Sequence, residues 1–225
     1  MPNHSANFDL RCYLVTSGTD RRTVEVAAQA AAGGAGMIQV RAKDITAREL
    51  LDLTVDTADA VHAANPHTKV VVDDRADVAY AAMRSGAAVH GVHLGQDDLP
   101  ARDARAMLGP NAIIGMTTGT LELVRAADKL ADVIDYVGAG PFRPTPTKDS
   151  GRTPLGMAGY RPLVEATSLP IVAIGDVQPA DVPALAATGI AGVALVRAIM
   201  AASDPGAVVR NVLSGFPAAD RRQHQ

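Results

Sequence analysis

The chain has 225 residues, a net charge of −3, and 48% hydrophobic but only 3% aromatic residues. This length suits one α/β barrel, and an Ala/Val/Leu/Ile core favours parallel strands packed against helices over an aromatic-rich β-sandwich. The negative balance argues against nucleic acid as a partner. No apolar run is long enough to cross a bilayer and no secretory signal is visible, so we expect a cytoplasmic protein without a membrane partner.

Short apolar runs alternate with helical patterns along the whole chain. Strands are predicted at residues 12–16, 37–41, 69–73, 91–94, 112–115, 134–138, 171–174 and 192–196. Helices are predicted at residues 21–32, 47–63, 75–84, 101–108, 121–130, 157–166, 179–187 and around 204–213. Eight strand–helix units predict an α/β fold, a single-domain (β/α)₈ TIM barrel of residues 1–225 with its core at about 10–215 and frayed polar ends. A doubly wound sheet is the alternative, but no Gly-rich fingerprint follows the first strand.

Polar residues follow the second predicted strand with a period of two. Alternation directs Gln39, Arg41 and Lys43 to one side, whereas Ile38 and Val40 face the helices. In a barrel of this kind, the chemistry lies at the carboxyl ends of the strands. Three polar groups at the barrel mouth therefore indicate a ligand rather than a solvated surface.

Paired aspartates follow the third and fourth strands. Asp73 and Asp74 come after the third, and Asp97 and Asp98 come after the fourth. Mg²⁺ prefers one or two carboxylates together with phosphate oxygens, so Asp74 and Asp98 are candidate ligands. The alternative is capping of the helices that follow. Capping explains one aspartate at each junction but not two, and we therefore favour a metal site.

The later strand ends carry hydroxyls, glycine and arginine. Thr117 follows the fifth strand, where binding of phosphate and capping of the next helix both remain open. Gly175 follows the seventh strand, and Val196 and Arg197 lie at the eighth; loops at these places often hold phosphate on backbone N–H groups. His93 lies inside the barrel run, where we expect a hydrogen-bonded structural histidine.

The loop after the sixth strand is stiffened by three prolines and carries two hydroxyls and two cations. These residues are Arg143, Thr145, Thr147 and Lys148. Proline lowers the entropy cost of ordering such a loop, and fixed cations with hydroxyls suit a phosphate-like ligand. The barrel mouth therefore has two predicted anion-binding zones, which suits a reaction between two phosphorylated molecules.

Four motifs in this order resemble those of the thiamine phosphate synthase family over residues of about 14–200. They are Gln39-x-Arg41-x-Lys43, Asp73-Asp74-Arg75-x-Asp77, Gly91-Val-His-Leu-Gly-Gln-x-Asp98 and Gly140-Pro-x-x-Pro-Thr145-x-Thr147-Lys148. The resemblance implies a transferase that joins a hydroxymethylpyrimidine diphosphate to a thiazole phosphate, with pyrophosphate leaving first to give a pyrimidinylmethyl cation. The implied partners are these small molecules, and a homo-oligomer is compatible with the sequence.

The resemblance also implies a role for each matching residue. Catalysis would rest on Arg41, Lys43, Thr117 and Lys148, and Asp74 and Asp98 would hold Mg²⁺ as the cofactor. The substrates would be bound by Gln39, Arg41, Lys43, Asp73, Thr117, Thr145, Thr147, Lys148, Gly175, Val196 and Arg197.

Four positions depart from the family pattern. Asp73 replaces the usual asparagine, Thr117 a serine, Gly119 a common histidine, and Asp176 the second glycine of a typical pair. Asp176 either turns away from the phosphate or weakens its binding. Other functions are a thiazole tautomerase-like paralogue, a non-catalytic thiazole phosphate-binding regulator, and a phosphosugar isomerase or epimerase. The retained diphosphate-binding residues, with Gly119 in the place of a histidine acid/base, favour the synthase over the tautomerase.

Overall fold

The structure is a computed structural model that describes residues 8–144, 151 and 153–217. Eight parallel strands close into a barrel in chain order, which confirms the predicted fold class. The strands are β1 Cys12–Val15, β2 Met37–Val40, β3 Lys69–Asp73, β4 Gly91–Leu94, β5 Ile113–Thr118, β6 Tyr136–Ala139, β7 Ile171–Ala173 and β8 Gly192–Leu195.

At least one helix follows each strand along the chain. They are α1 Arg21–Ala32, α2 Ala47–Ala64, α3 Ala76–Arg84, α4 Ala101–Leu108, α5 Leu121–Asp128, α6 Tyr160–Val164, α7 Val182–Ala186, α8 Arg197–Met200 and α9 Pro205–Ser214. Short 3₁₀ turns, Met157–Gly159 and Pro179–Asp181, precede α6 and α7. Within the described part of the chain, none of these helices has both the length and the apolar character that a membrane crossing requires.

Local sequence explains where several helices begin. Asp20 accepts a hydrogen bond from the backbone N–H of Thr23 at the start of α1. Thr46 and Glu49 form a reciprocal capping box at the start of α2. Each cap pairs backbone N–H groups that the first turn of a helix leaves without an intrahelical acceptor.

The predicted boundaries differ from the structure at three places that matter for the site. Strand β5 continues to Thr118, so Thr117 lies within the strand and not in the loop after it. Strand β6 begins at Tyr136 rather than at residue 134. Helix α8 was not predicted, because four residues are too few to show a helical period. Residues 1–7 and 218–225 lie outside the described residues, so the frayed ends and the extent of the domain remain predictions.

Two apolar layers flank the strands. The outer layer lies between strands and helices and includes Ile38 and Val40, as the alternation along β2 predicts. The inner layer fills the barrel and includes Tyr13, Met37 and Tyr136. Because inward-facing residues of neighbouring strands stack in layers, polar side chains on the upper turns of the strands converge at the carboxyl end of the barrel.

Candidate active site

A pocket of about 150 Å³ opens among the carboxyl ends of the strands. Seven predicted site residues line it: Gln39, Arg41, Asp73, Thr117, Gly175, Val196 and Arg197. Three other predicted residues, Lys43, Asp74 and Asp98, do not line this pocket but adjoin it through Asp73. Thr145, Thr147 and Lys148 lie outside the described residues.

One side of the mouth is a charged cluster of Arg41, Lys43, Asp73, Asp74 and Asp98. Lys43 pairs with both Asp73 and Asp74, and its Nζ lies 3.3 Å from Oδ2 of Asp73. The Nε atom of Arg41 lies 3.4 Å from the same oxygen. Burial, together with the neighbouring Asp74 carboxylate, raises the pKa of Asp73 to about 6, and the two cations oppose that shift. The negative charge of Asp73 is therefore balanced by Arg41 and Lys43.

Asp74 and Asp98 bring two carboxyl groups together at the rim of this cluster. The backbone of Asp74 is left-handed, with φ of 61°, and its N–H donates to the carbonyl oxygen of His93 at 2.8 Å. Oδ2 of Asp98 accepts from the N–H of Gly95 at 2.6 Å. Burial and a side-chain hydrogen bond with Asp74 raise the pKa of Asp98. Two adjacent carboxyl groups, of which Asp98 has a raised pKa, form a donor pair that a divalent cation would stabilise.

The alternative prediction of helix capping by these aspartates is wrong. The residue before α3 is Arg75, which makes no side-chain capping bond, and the residue before α4 is Pro100. Asp98 closes the loop after β4 instead. Among the described residues, no group of three or more His, Cys, Asp or Glu side chains could hold a metal ion. Two carboxylates suit a metal such as Mg²⁺, which takes its remaining ligands from substrate phosphate and water.

The three threonines at the end of β5 have different partners. Oγ1 of Thr117 is 2.9 Å from Nε2 of His93. Thr118 donates to the carbonyl oxygen of Gly138 at 3.2 Å, whereas Thr120 accepts from the N–H of Leu123 at 3.1 Å and caps α5. Capping is therefore the role of Thr120, and Thr117 turns its hydroxyl to the pocket side of the barrel.

A chain of side-chain hydrogen bonds lies beneath the pocket. Nε2 of Gln39 donates to Oη of Tyr13 at 3.1 Å, and the two tyrosine hydroxyls are 2.8 Å apart. Oη of Tyr136 is 3.0 Å from Nδ1 of His93, which confirms that His93 is a buried, hydrogen-bonded histidine. Sequence reasoning missed both tyrosines because they resemble ordinary core residues. Their signal was a hydroxyl at an inward-facing strand position.

The other side of the mouth consists of the paired loops, residues 141–143 and 174–176. The N–H of Phe142 donates to the carbonyl oxygen of Ile174 at 2.8 Å, and the N–H of Arg143 donates to that of Gly175 at 3.0 Å. Gly175 has φ of +103°, and a Cβ atom there would lie 2.6 Å from Cα of Pro141. Only glycine fits this backbone and this close approach.

Charged side chains beside the paired loops form two ion pairs. Arg143 binds both carboxylate oxygens of Asp181, at 2.6 and 2.5 Å, and its guanidinium lies 4.4 Å from the centre of the Phe142 ring. Nη2 of Arg197 donates to Oδ1 of Asp176 at 2.5 Å. The question that the sequence left open at Asp176 is answered in part, because its carboxylate pairs with Arg197.

Comparison with known proteins places this geometry in a family. Residues 12–199 match the family model described as Thiamine monophosphate synthase. The chain is 60% identical to the thiamine-phosphate synthase of Corynebacterium jeikeium over 97% of this chain and all of that protein. It is 59% identical to that of Corynebacterium efficiens over 92% of this chain and 95% of the relative.

A solved structure gives the same result. The thiamine phosphate pyrophosphorylase from Pyrococcus furiosus matches with a TM-score of 0.78 and 31% identity, over 92% of this chain and 95% of that chain. A 3-hexulose-6-phosphate synthase, at 18% identity and a TM-score of 0.65, shares the fold alone. The predicted family and the predicted enzyme class, a transferase, are confirmed, and the chain belongs to the thiamine monophosphate synthase family.

Proposed function

We propose that this chain joins 4-amino-2-methyl-5-hydroxymethylpyrimidine diphosphate to hydroxyethylthiazole phosphate and releases thiamine phosphate and pyrophosphate. One observation carries the proposal: two chemically different groups of residues, each suited to an anion, flank a single pocket. The charged cluster places cations and carboxylates on one side, and the paired loops place the backbone of Gly175 and Asp176 on the other. A reaction between a diphosphate and a monophosphate needs both.

The charged cluster would serve the leaving group. In a dissociative reaction, negative charge grows on the departing diphosphate while the pyrimidinylmethyl group becomes a cation. Arg41 and Lys43 are held in place by Asp73 and Asp74 before substrate arrives. Preorganised cations of this kind stabilise charge where it develops in the transition state. Lys148 would add a further cation from the loop after β6.

Asp74 and Asp98 would hold Mg²⁺. Their adjacent carboxyl groups and the raised pKa of Asp98 favour a cation at this place. When bound, Mg²⁺ supplies positive charge to the diphosphate oxygens. Lys43 pairs with Asp74 and would stay close to the same oxygens.

The departure at Asp73 is compatible with this function. An additional anion beside a diphosphate would repel it if the anion stood alone. Here Nε of Arg41 and Nζ of Lys43 lie 3.4 and 3.3 Å from Oδ2 of Asp73. Asp73 would therefore orient the two cations and contact the substrate without opposing its charge. Gln39 would hold the pyrimidine edge, and Thr117 would lie near the reacting atoms.

The paired loops would hold the thiazole phosphate. Gly175 lines the pocket where its backbone packs against Pro141, and Val196 and Arg197 line it at the start of α8, directly after the neighbouring strand β8. Thr145 and Thr147 would complete this site. The thiazole nitrogen carries its own lone pair, so it can capture the cation without a general base.

The thiazole tautomerase would need a histidine acid/base, and position 119 is glycine. A non-catalytic regulator would not need the charged cluster. Neither alternative accounts for Arg41, Lys43, Asp74 and Asp98 together. Assembly as a homo-oligomer and a cytoplasmic location remain predictions.

The test is a synthesis assay. We expect purified protein, mixed with both substrates and Mg²⁺, to form thiamine phosphate and pyrophosphate in equal amounts. Asp98→Asn should lose most of this activity, and Asp103→Asn, which changes an exposed aspartate on α4, should keep it. Tight binding of thiazole phosphate without product would contradict the proposal and favour the regulator. Isomerisation of a thiazole carboxylate phosphate would favour the tautomerase.

A further inference from the structure

A continuous chain of hydrogen bonds crosses the barrel beneath the pocket. It runs from Gln39 through Tyr13, Tyr136 and His93 to Thr117, with contacts of 3.1, 2.8, 3.0 and 2.9 Å. Its two ends belong to β2 and β5 and both line the pocket, while Tyr13 and Tyr136 are fully or almost fully buried. The chain therefore joins two pocket side chains from different strands.

The direction of this chain follows from its chemistry. An amide nitrogen only donates, so the Tyr13 hydroxyl accepts from Gln39 and donates its own proton to Tyr136. If the His93 imidazole is neutral, Tyr136 then donates to its Nδ1. The imidazole proton must lie on Nε2, which donates to Thr117. The Thr117 hydroxyl accepts this bond and keeps its own proton for donation.

The barrel leaves room for the central link. Gly115 lies between His93 and Tyr136 in the strand register, as the residue paired with each of them. A Cβ atom on Gly115 would lie 2.4 Å from Oη of Tyr136 and 2.5 Å from Nδ1 of His93. A Cβ atom on Gly138 would lie 3.3 Å from Cε1 of His93. Two inward-facing glycines therefore make space for this pair.

Burial keeps the chain in one protonation state. It raises the pKa of Tyr13 and Tyr136 far above neutrality, so both phenols remain hydroxyls. In a site of low dielectric, a polar network in which each member is satisfied holds its side chains rigidly. The orientation of each member then depends on that of the next.

We propose that Tyr13, Tyr136 and His93 are positioning residues that fix the Gln39 amide and the Thr117 hydroxyl as a matched pair. Gln39 would turn its amide oxygen to the pocket, where it can accept from the amino group of the pyrimidine. Thr117 would donate its proton toward the oxygen of the departing diphosphate. This inference rests on the proposed function for the identity of the substrate, but the direction of the chain does not depend on it.

The most direct test is the tautomer of His93, measured by ¹⁵N nuclear magnetic resonance on the unliganded protein. We expect the proton on Nε2 in the unchanged protein. In Gln39→Glu, an ionised carboxylate only accepts, so each hydroxyl must reverse and the His93 proton must move to Nδ1. The spectrum should therefore change as the introduced carboxylate ionises between about pH 6 and about pH 9. A proton on Nδ1 in the unchanged protein, or an Nε2 proton in Gln39→Glu throughout this titration, would overturn the inference.

A kinetic test uses two matched tyrosines. Tyr136→Phe removes the centre of the chain, whereas Tyr160→Phe removes a fully buried hydroxyl that donates to the carbonyl oxygen of Ala139 outside it. We expect Tyr136→Phe to lower kcat about tenfold, as for loss of one positioned hydrogen bond. Both changes should lower the stability of the protein by similar amounts, but Tyr160→Phe should leave kcat unchanged.

The kinetic test and the measurement of the His93 tautomer can fail independently of each other. If Tyr136→Phe and Tyr160→Phe lower stability alike and leave kcat unchanged, the chain is only structural. The effect of Thr117→Val on kcat should also shrink in the Tyr136→Phe background, because the hydroxyl is no longer oriented there. If the protein makes no thiamine phosphate at all, the proposed function fails, while the tautomer of His93 still decides the direction of the chain.

Discussion

The two sides of the barrel mouth, at which we propose that anions bind, are built by different means. The charged cluster uses side chains from the segment after β2, from the end of β3 and from the loops after β3 and β4, each held by an ion pair or hydrogen bond. The paired loops use backbone groups, fixed by two hydrogen bonds between the segments that follow β6 and β7. A substitution can therefore change the first site without changing the fold. A substitution in the paired loops, by contrast, would also alter the path of the backbone.

The two sides also differ in net charge. The charged cluster has two cations and three carboxyl groups, so it carries an excess of negative charge when all are ionised. Beside the paired loops, Arg143 is paired with Asp181 and Arg197 with Asp176. We therefore expect a diphosphate at the charged cluster to need an added cation, and a monophosphate at the paired loops to need none.

Removal of Mg²⁺ should give the largest effect. We expect a chelator to lower the rate of thiamine phosphate formation by about 10³-fold or more, the scale of charge stabilisation by a bound metal. The measurement is product formed with the chelator and again after Mg²⁺ is restored in excess. Unchanged synthesis under chelation would show that the charged cluster neutralises the diphosphate alone.

Lys43→Met should give the next largest effect. It removes a cation and leaves Asp73 and Asp74 facing the diphosphate, so we expect kcat to fall about 10²-fold. Lys129→Met changes an exposed lysine at the end of α5 and should leave kcat unchanged. A rise in KM alone, with kcat preserved, would mean that Lys43 binds the substrate without stabilising the leaving group.

Gly175→Ala should damage the paired loops and leave the charged cluster intact. The new methyl group would meet Pro141 and force a left-handed alanine, so we expect about a tenfold rise in KM for thiazole phosphate and a loss of about 1–3 kcal/mol of stability. Gly86→Ala is matched, because φ is +89° there and nothing lies within 4 Å of the new atom. That control should lose less stability and keep its KM. Equal effects of the two changes would show that the close approach of Gly175 to Pro141 does not matter for binding or stability.

Asp176→Asn should give the smallest effect, in the opposite direction. It releases Arg197 from a partly exposed ion pair, so KM for thiazole phosphate should fall about threefold at low salt. Asp132→Asn breaks the exposed pair with Arg102 and serves as the control. If Asp176→Asn instead raises KM, then Asp176 contributes to the phosphate site rather than competing for Arg197.

The sequence predicted the fold and one side of the site well, for a simple physical reason. The carboxyl ends of parallel strands in a barrel meet at one mouth, so Gln39, Arg41 and Asp73 had to converge once the strands were assigned. The pairing of Lys43 with two aspartates needed coordinates, because it depends on a side chain beyond the end of β2.

Other contacts depend on register, which the sequence does not reveal. His93 and Tyr136 meet because both pair with Gly115 in the closed barrel. The ion pair between Asp176 and Arg197 joins the ends of two strands that are separated by a helix in the sequence. Each residue alone resembled a core position or a loop charge, and only the closed barrel brings the partners together.

The most direct test of the division between the two sides is calorimetric titration of the unchanged protein with two probes. If the proposed sites are right, pyrophosphate reports on the charged cluster and thiazole phosphate reports on the paired loops. We predict that Mg²⁺ strengthens binding of pyrophosphate by about tenfold or more and changes binding of thiazole phosphate by about twofold at most. An equal dependence of both ligands on Mg²⁺, or none for either, would contradict the account.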